Sequence, residues 1–288
     1  MENSKLSRRL YHDRFLFYAV CLMALLTAIP LFAILGEVFF RGYGQISWSF
    51  FTEPTPTAYK AMTAIEAGEH IPGGIANGII GTMLILGMAV IGAVPIGILC
   101  GVYLAENSKN RFAMTVSYIT DLLQGTPSVI IGIITYIWVV VPMKGYSTIA
   151  GSVALFIMML PLIIRSTEET MRILPASLKE AGLALGASKA KVILKIQIPA
   201  AFSGIFTGIL LAVSRVIGET APLMFTALGC SAIRWDITKP ISAVPLQIWE
   251  FFNDPYLQDL VWGASLFLLL FVLVLNLSAK YIARRWKI

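Results

Sequence analysis

Six long apolar runs constrain this chain more than any other feature: Phe15–Phe39, Ile75–Leu104, Met114–Val141, Ile149–Ile164, Ala200–Leu228 and Leu260–Ala279. Each is near or above the roughly 17–25 residues that a helix needs to cross a bilayer. None shows the period-two alternation or regular turn signals of a membrane barrel, and in hydrocarbon helix is then the only way to satisfy the backbone. The sequence predicts an all-α polytopic membrane protein with six transmembrane helices. Composition agrees: 13% of the residues are charged, against about 25% in soluble domains. Residues 1–288 are expected to form one membrane domain, with a core over roughly 75–283 and no linker, low-complexity tract or fixed-period repeat.

The formal charge of +6 raises nucleic acid as a partner, and the placement of the cations excludes it. Lys5, Arg8, Arg9 and Arg14 precede the first run, and Lys109 and Arg111 separate the second and third. Arg165, Arg172, Lys179, Lys189, Lys191 and Lys195 lie between the fourth and fifth, and Lys280, Arg284, Arg285 and Lys287 end the chain. The alternate connections hold only Arg41, Lys60, Lys144, Arg234 and Lys239. The positive-inside rule then places both termini and the 166–199 loop in the cytoplasm. The basic segment before the first run lacks a small-residue cleavage site followed by a soluble domain, so that run is expected to remain as a helix. Cys21, Cys100 and Cys230 have neither metal-site nor disulfide spacing, and His12 and His70 are too far apart to share a metal.

Three connections carry information. Residues 40–74, rich in Pro, Thr and Gly, suit a solvated connector or a surface for an external partner. Residues 229–259 carry Trp235, Trp249 and three prolines, which suits partly ordered structure at a membrane face. Gly74/Gly78, Gly97/Gly101 and Gly204/Gly208 each place two glycines one turn apart, a packing signal with no bearing on substrate.

The 166–199 loop holds Glu180-Ala181-Gly182, Gly186 four positions after Gly182, and then Ile196, Ile198 and Pro199. Pro175 can open a short helix, Gly186 permits a turn, and Ser188-Lys189 starts a second helix. This resembles the EAA signature of ABC-importer permeases, with Gly182 in place of the second Ala and Ile198 in place of Leu. The resemblance implies that Glu180, Ala181, Gly182 and Gly186 form a coupling helix docked on a cytoplasmic ATPase. Contact with lipid headgroups would account for the basic residues but not for Glu180 or the glycine spacing. No phosphate-binding loop of Gly-x-x-x-x-Gly-Lys-Ser/Thr type occurs, so ATP and Mg²⁺ are expected on a partner chain and no cofactor or metal on this one.

Ionisable residues at membrane depth are functional candidates because each costs about 2.5–3.5 kcal/mol to insert. Arg215 and Glu219 are spaced i and i+4, which on a continuous helix is one face, with Pro222 to kink it beyond. They suit a structural ion pair or an anion path, in which the arginine fork holds an oxyanion. Glu219 could accept a hydrogen bond from a phosphate that still carries a proton. Arg165 suits a snorkelling cation at the membrane edge or a path residue. Asp121 and Gln124 suit interhelical hydrogen bonding.

Ser214-Arg215-Val216-Ile217-Gly218-Glu219-Thr220-Ala221-Pro222-Leu223 resembles the fifth span of PstA-type permease subunits of bacterial phosphate importers. Gln124-Gly125-Thr126-Pro127-Ser128, Arg165-Ser166-Thr167-Glu168 and Gly101-Val102-Tyr103-Leu104-Ala105-Glu106 resemble other stretches of the same subunit. The resemblance implies a type I ABC-importer permease fold in a bacterial inner membrane and transport of inorganic phosphate. It also implies a PstC-type second permease, two copies of a PstB-type ATPase and a PstS-type binding protein. A permease for another oxyanion stays open. An ion-coupled secondary transporter would leave the cytoplasmic motif unexplained, and no intramembrane enzyme motif is present.

Overall fold

The computed structural model describes residues 2–69 and 71–285, with side chains for 13–69 and 71–282. The side chains of Lys5, Arg8, Arg9, His12, His70, Arg284, Arg285 and Lys287 lie outside these. Helix α1 (Glu2–Tyr43) is followed by two short helices, α2 (Trp48–Thr52) and α3 (Ala58–Glu66), and by α4 (Ala76–Glu106). The third run divides into α5 (Arg111–Gly125) and α6 (Ser128–Thr135), which continues through a π turn (Tyr136–Val140) into α7 (Val141–Met143). Then come α8 (Thr148–Ile173), α9 (Ala176–Ala184), α10 (Lys189–Val192), a second π turn (Ile193–Gln197) and α11 (Ile198–Ile217). Helices α12 (Ala221–Thr226), α13 (Val244–Asn253) and α14 (Gln258–Arg285) complete the chain.

Among the described residues five helices are long and apolar enough to cross a membrane, and the bent α5–α6/α7 pair makes a sixth crossing if counted as one span. The third run, expected as one helical span, is bent by 106° between its two helical parts. Thr126 and Pro127 cause it: Pro127 has no N–H to donate and pushes Thr126 to an extended ψ of 129°. The fourth helix runs past the expected end at Ile164 to Ile173. Its charges pair within the helix, Arg165 with Glu168 at i,i+3 and Arg172 with Glu168 at i,i+4, so the polar stretch stays helical. The helix therefore takes in the first part of the 166–199 stretch, and the non-helical connection to α9 is Leu174 and Pro175.

Helix α8 is the central element. It packs along α4, where Gly97 and Gly101 bring the α4 backbone against Ile163, Ile164 and Thr167, and along α11, where Gly204 and Gly208 lie against Thr170 and Ser166. Two of the three predicted glycine pairs thus make close helix approaches. The third pair does not share a helix face, because Gly74 precedes the α4 N-cap Ile75, yet each of its glycines also lies against another helix, Gly74 against the Phe50 backbone of α2 and Gly78 against Gln247 of α13. Ile85, Met159, Ile163, Ala212, Ile217 and Leu223 form the centre of the main core.

Any side chain at Gly208 would overlap Ser166, whereas Gly218 has no non-local neighbour nearer than 4.0 Å. Gly208→Leu is therefore expected to separate α8 from α11 at a cost of about 1–3 kcal/mol. Its thermal unfolding midpoint in detergent should fall by several degrees, and Gly218→Ala should leave it unchanged. An unaltered midpoint for Gly208→Leu would refute the close packing.

The 40–74 connection is not a plain solvated connector. Phe50, Ala61 and Ile75 are buried with Val244, Phe251 and Leu260 in a second core. Asn77 Oδ1 accepts hydrogen bonds from the Thr55 amide at 3.1 Å and from Gln247 Nε2 at 2.8 Å, tying this connection to α4 and α13. On α13, burial pushes the Glu250 carboxyl up from 4.5 to about 7. The folded chain thus holds that proton more tightly than the unfolded chain. The stability it confers is complete below about 4.5 and is lost as pH rises through about 7. Glu250→Gln should flatten this dependence in a thermal unfolding series across that range, and an unchanged slope would count against it.

Candidate functional site

Arg172, Lys179, Lys189, Lys191 and Lys195 gather at the end of the bundle where α4 meets α9 and α10, which makes it the basic end. The loop there has the predicted helix–turn–helix form. Pro175 caps α9, and Gly186 turns the chain at φ +79°, a conformation that glycine adopts without a Cβ clash. The Ser188 side chain accepts from the Lys191 amide to start α10. Gly182 is buried, and a Cβ there would stand 2.9 Å from both Val192 and Ile196. That contact accounts for glycine where the signature has alanine. Glu180, Ala181, Leu183 and Leu185 face outward, Leu185 with 88% of its surface exposed. Glu180 makes no ion pair among the described residues. The loop thus offers a surface of one carboxylate and two leucines, presented by a helix whose other side is fixed to the bundle.

A residue outside the predicted set does the fixing. Glu106, the last residue of α4, is ion-paired to Lys179 Nζ at 2.5 Å and to Lys189 Nζ at 3.2 Å, and accepts from Gln197 Nε2 at 3.4 Å. Its partners lie 73 to 91 residues away, so no local pattern could reveal them.

The membrane-depth charges sit differently from expectation. Helix α11 ends at Ile217, and the chain breaks over Gly218, Glu219 and Thr220 before α12. The expected helical face shared by Arg215 and Glu219 therefore does not exist, and among the described residues the two form no ion pair. The break lies where Gly218 ends one helix and Pro222 opens the next. Arg215 is exposed on an α11 stripe with Thr207 and Leu211. Toward the basic end the stripe opens into a groove of about 590 Å³, lined by Ser166, Glu169, Thr170, Ser203, Thr207 and Lys280.

Arg165 does not end its helix. Its fork reaches α5, where Nε donates to Asp121 Oδ1 at 2.9 Å and Nη2 to the Ser117 carbonyl at 2.9 Å and hydroxyl at 2.8 Å. Nη1 donates to Glu168 Oε2 at 2.6 Å. The fork and Asp121 are committed to holding α5 against α8. Gln124 takes no part in that network.

The family model described as "Binding-protein-dependent transport system inner membrane component" matches residues 93–288, which include α8, α9 and α11. The chain is 38% identical over 257 residues to a phosphate transport system permease protein PstA of Yersinia pestis, covering 88% of this chain and 84% of that one. A PstA of Xylella fastidiosa is 34% identical, with 99% of both chains covered. The chain belongs to the binding-protein-dependent permease family, in its PstA branch.

Among solved structures, an inward-facing MetNI methionine ABC transporter is similar at a TM-score of 0.59 and 19% identity, covering 72% of this chain and 94% of that one. The ABC-importer permease fold is thereby shared. As a PstA-branch permease the chain is a multi-pass membrane protein.

Proposed function

We propose that this chain is one permease subunit of an ATP-driven importer that moves inorganic phosphate across the bacterial inner membrane. The observation that carries the substrate is the match to PstA proteins along the whole chain, 99% of both sequences in one case. The basic end faces the cytoplasm, with both termini. The partners are a PstC-type permease, two PstB-type ATPase copies that hold ATP and Mg²⁺, and a PstS-type binding protein on the far side. The permease itself is not an enzyme.

The path follows the exposed α11 stripe. An arginine turned toward lipid at this depth costs about 2.5–3.5 kcal/mol, so the face that carries Arg215 is covered by protein or water. Thr207, eight residues or about 12 Å along the helix, shares that face and leads into the groove, where Ser166, Thr170, Ser203 and Lys280 offer donors beside Glu169. The donor fork of Arg215 matches an oxyanion, and Glu219, outside any helix, is free to accept a proton-borne hydrogen bond from phosphate. Arg165 acts beside the path, by fixing α5. Glu180, Ala181, Gly182 and Gly186 present the docking surface to the ATPase.

The test is uptake of labelled phosphate and labelled sulfate by proteoliposomes holding the complete importer. ATP-dependent uptake of phosphate, with sulfate excluded, is expected. Uptake of sulfate at a comparable rate, or uptake driven by an ion gradient without ATP, would overturn the reading.

A further inference from the structure

We infer that Glu106 is the positioning residue through which movement of the docking helix reaches the transmembrane bundle. The inference rests on α9 being the surface that meets the ATPase.

Three elements converge on this one carboxylate. Lys179 belongs to α9 and precedes Glu180 in the chain, Lys189 opens α10, and Gln197 closes the π turn that leads into α11. The Glu106 side chain is only 8% exposed, while Lys179 and Lys189 reach it from the surface at 33% and 54%, so the carboxylate is a partly buried anchor for two solvent-facing cations. Glu106 is also the end of α4, whose backbone is locked against α8 at Gly97 and Gly101. A displacement of α9 therefore pulls on α4, and through it on α8, without slack in between. The α9 turn is closed by its own backbone, Gly186 N–H donating to the Leu183 carbonyl at 2.9 Å and Ala187 N–H to the Gly182 carbonyl at 3.3 Å, but none of these bonds reaches α4. Without the carboxylate, two ammonium groups would face each other, and among the described residues no ion pair would tie α9 to α4.

Glu106→Gln keeps the shape and a hydrogen-bond acceptor but removes the charge that holds both lysines. In the complete reconstituted importer this variant is expected to retain the ATPase on purification and to hydrolyse ATP. Phosphate uptake should fall at least tenfold, so that the ATP hydrolysed per phosphate moved rises by the same factor. Glu106→Asp, with the charge kept on a shorter arm, should recover part of the coupling, and Lys179→Met should lose it as Glu106→Gln does.

A purely structural role predicts something else: uptake and hydrolysis fall together and their ratio stays constant. That result overturns the inference, as does unchanged uptake in Glu106→Gln. A wild-type complex that moves a different anion overturns only the phosphate assignment, because the ratio is then taken on that anion. A wild-type chain that retains no ATPase removes the docking reading and this inference with it.

Discussion

Replacing Arg215 with glutamine is expected to lower the initial rate of phosphate uptake by ten- to a hundredfold while the importer still assembles. Arg215 is exposed on the α11 stripe and pairs with no carboxylate among the described residues, so the substitution breaks no ion pair of the fold. What it removes is a charge-assisted contact to the passing anion, worth about 1.5–3 kcal/mol. Arg215→Lys keeps the charge but loses the planar fork, and should fall between the wild type and the glutamine variant. Initial rates in proteoliposomes, with the ATPase quantified in the same preparation, decide the matter. A glutamine variant that transports at the wild-type rate would remove Arg215 from the path. Exchanging the charges of Arg215 and Glu219 should not restore transport, because the helix stops at Ile217 and the two side chains hold no common face.

The second large effect is expected at the docking loop. Gly186 sits at φ +79°, and a β-branched residue there is strained by about 1–2 kcal/mol or more. Space is not the obstacle, since a Cβ on Gly186 would meet no atom within 4 Å. Gly186→Val should relieve the strain by reorienting α9 relative to α10, which turns Glu180, Leu183 and Leu185 away from their partner surface. The ATPase should no longer co-purify, and ATP-driven uptake should fall more than tenfold. Gly186→Asn is the control, because asparagine tolerates the left-handed region, and it should retain most of both. Normal ATPase recovery and uptake in the valine variant would show that the turn does not set the docking geometry.

The sequence displays some of this directly and conceals the rest for physical reasons. Membrane spans are long-window averages, so all six runs are visible from composition along the chain. The docking loop is legible because Pro175, Gly186 and Ser188 each act through their own backbone. The charged face of Arg215 and Glu219 fails because periodicity presumes a continuous helix, and Gly218 with Pro222 interrupts it. The same presumption hides the bend at Thr126-Pro127. The reach of α8 to Ile173 is concealed because Arg165, Glu168 and Arg172 look like the edge of a membrane when their charges are counted singly. Paired, they continue the helix. Glu106 is beyond reach altogether, because its importance lies in lysines contributed by α9 and α10.

The bond between Asp121 and Arg165 also bears on how the protein is made. The two residues are 44 positions apart, and synthesis proceeds from the amino end at about 5–20 residues per second. For roughly two to nine seconds, then, Asp121 is in the growing chain before Arg165 has been added. During that interval α5 carries an unneutralised carboxylate toward the bilayer, and nothing in its own sequence supplies the missing cation at that height. The third span is consequently expected to insert more readily in chains that extend past Arg165 than in chains cut short before it, which a truncation series in a membrane-insertion assay would check.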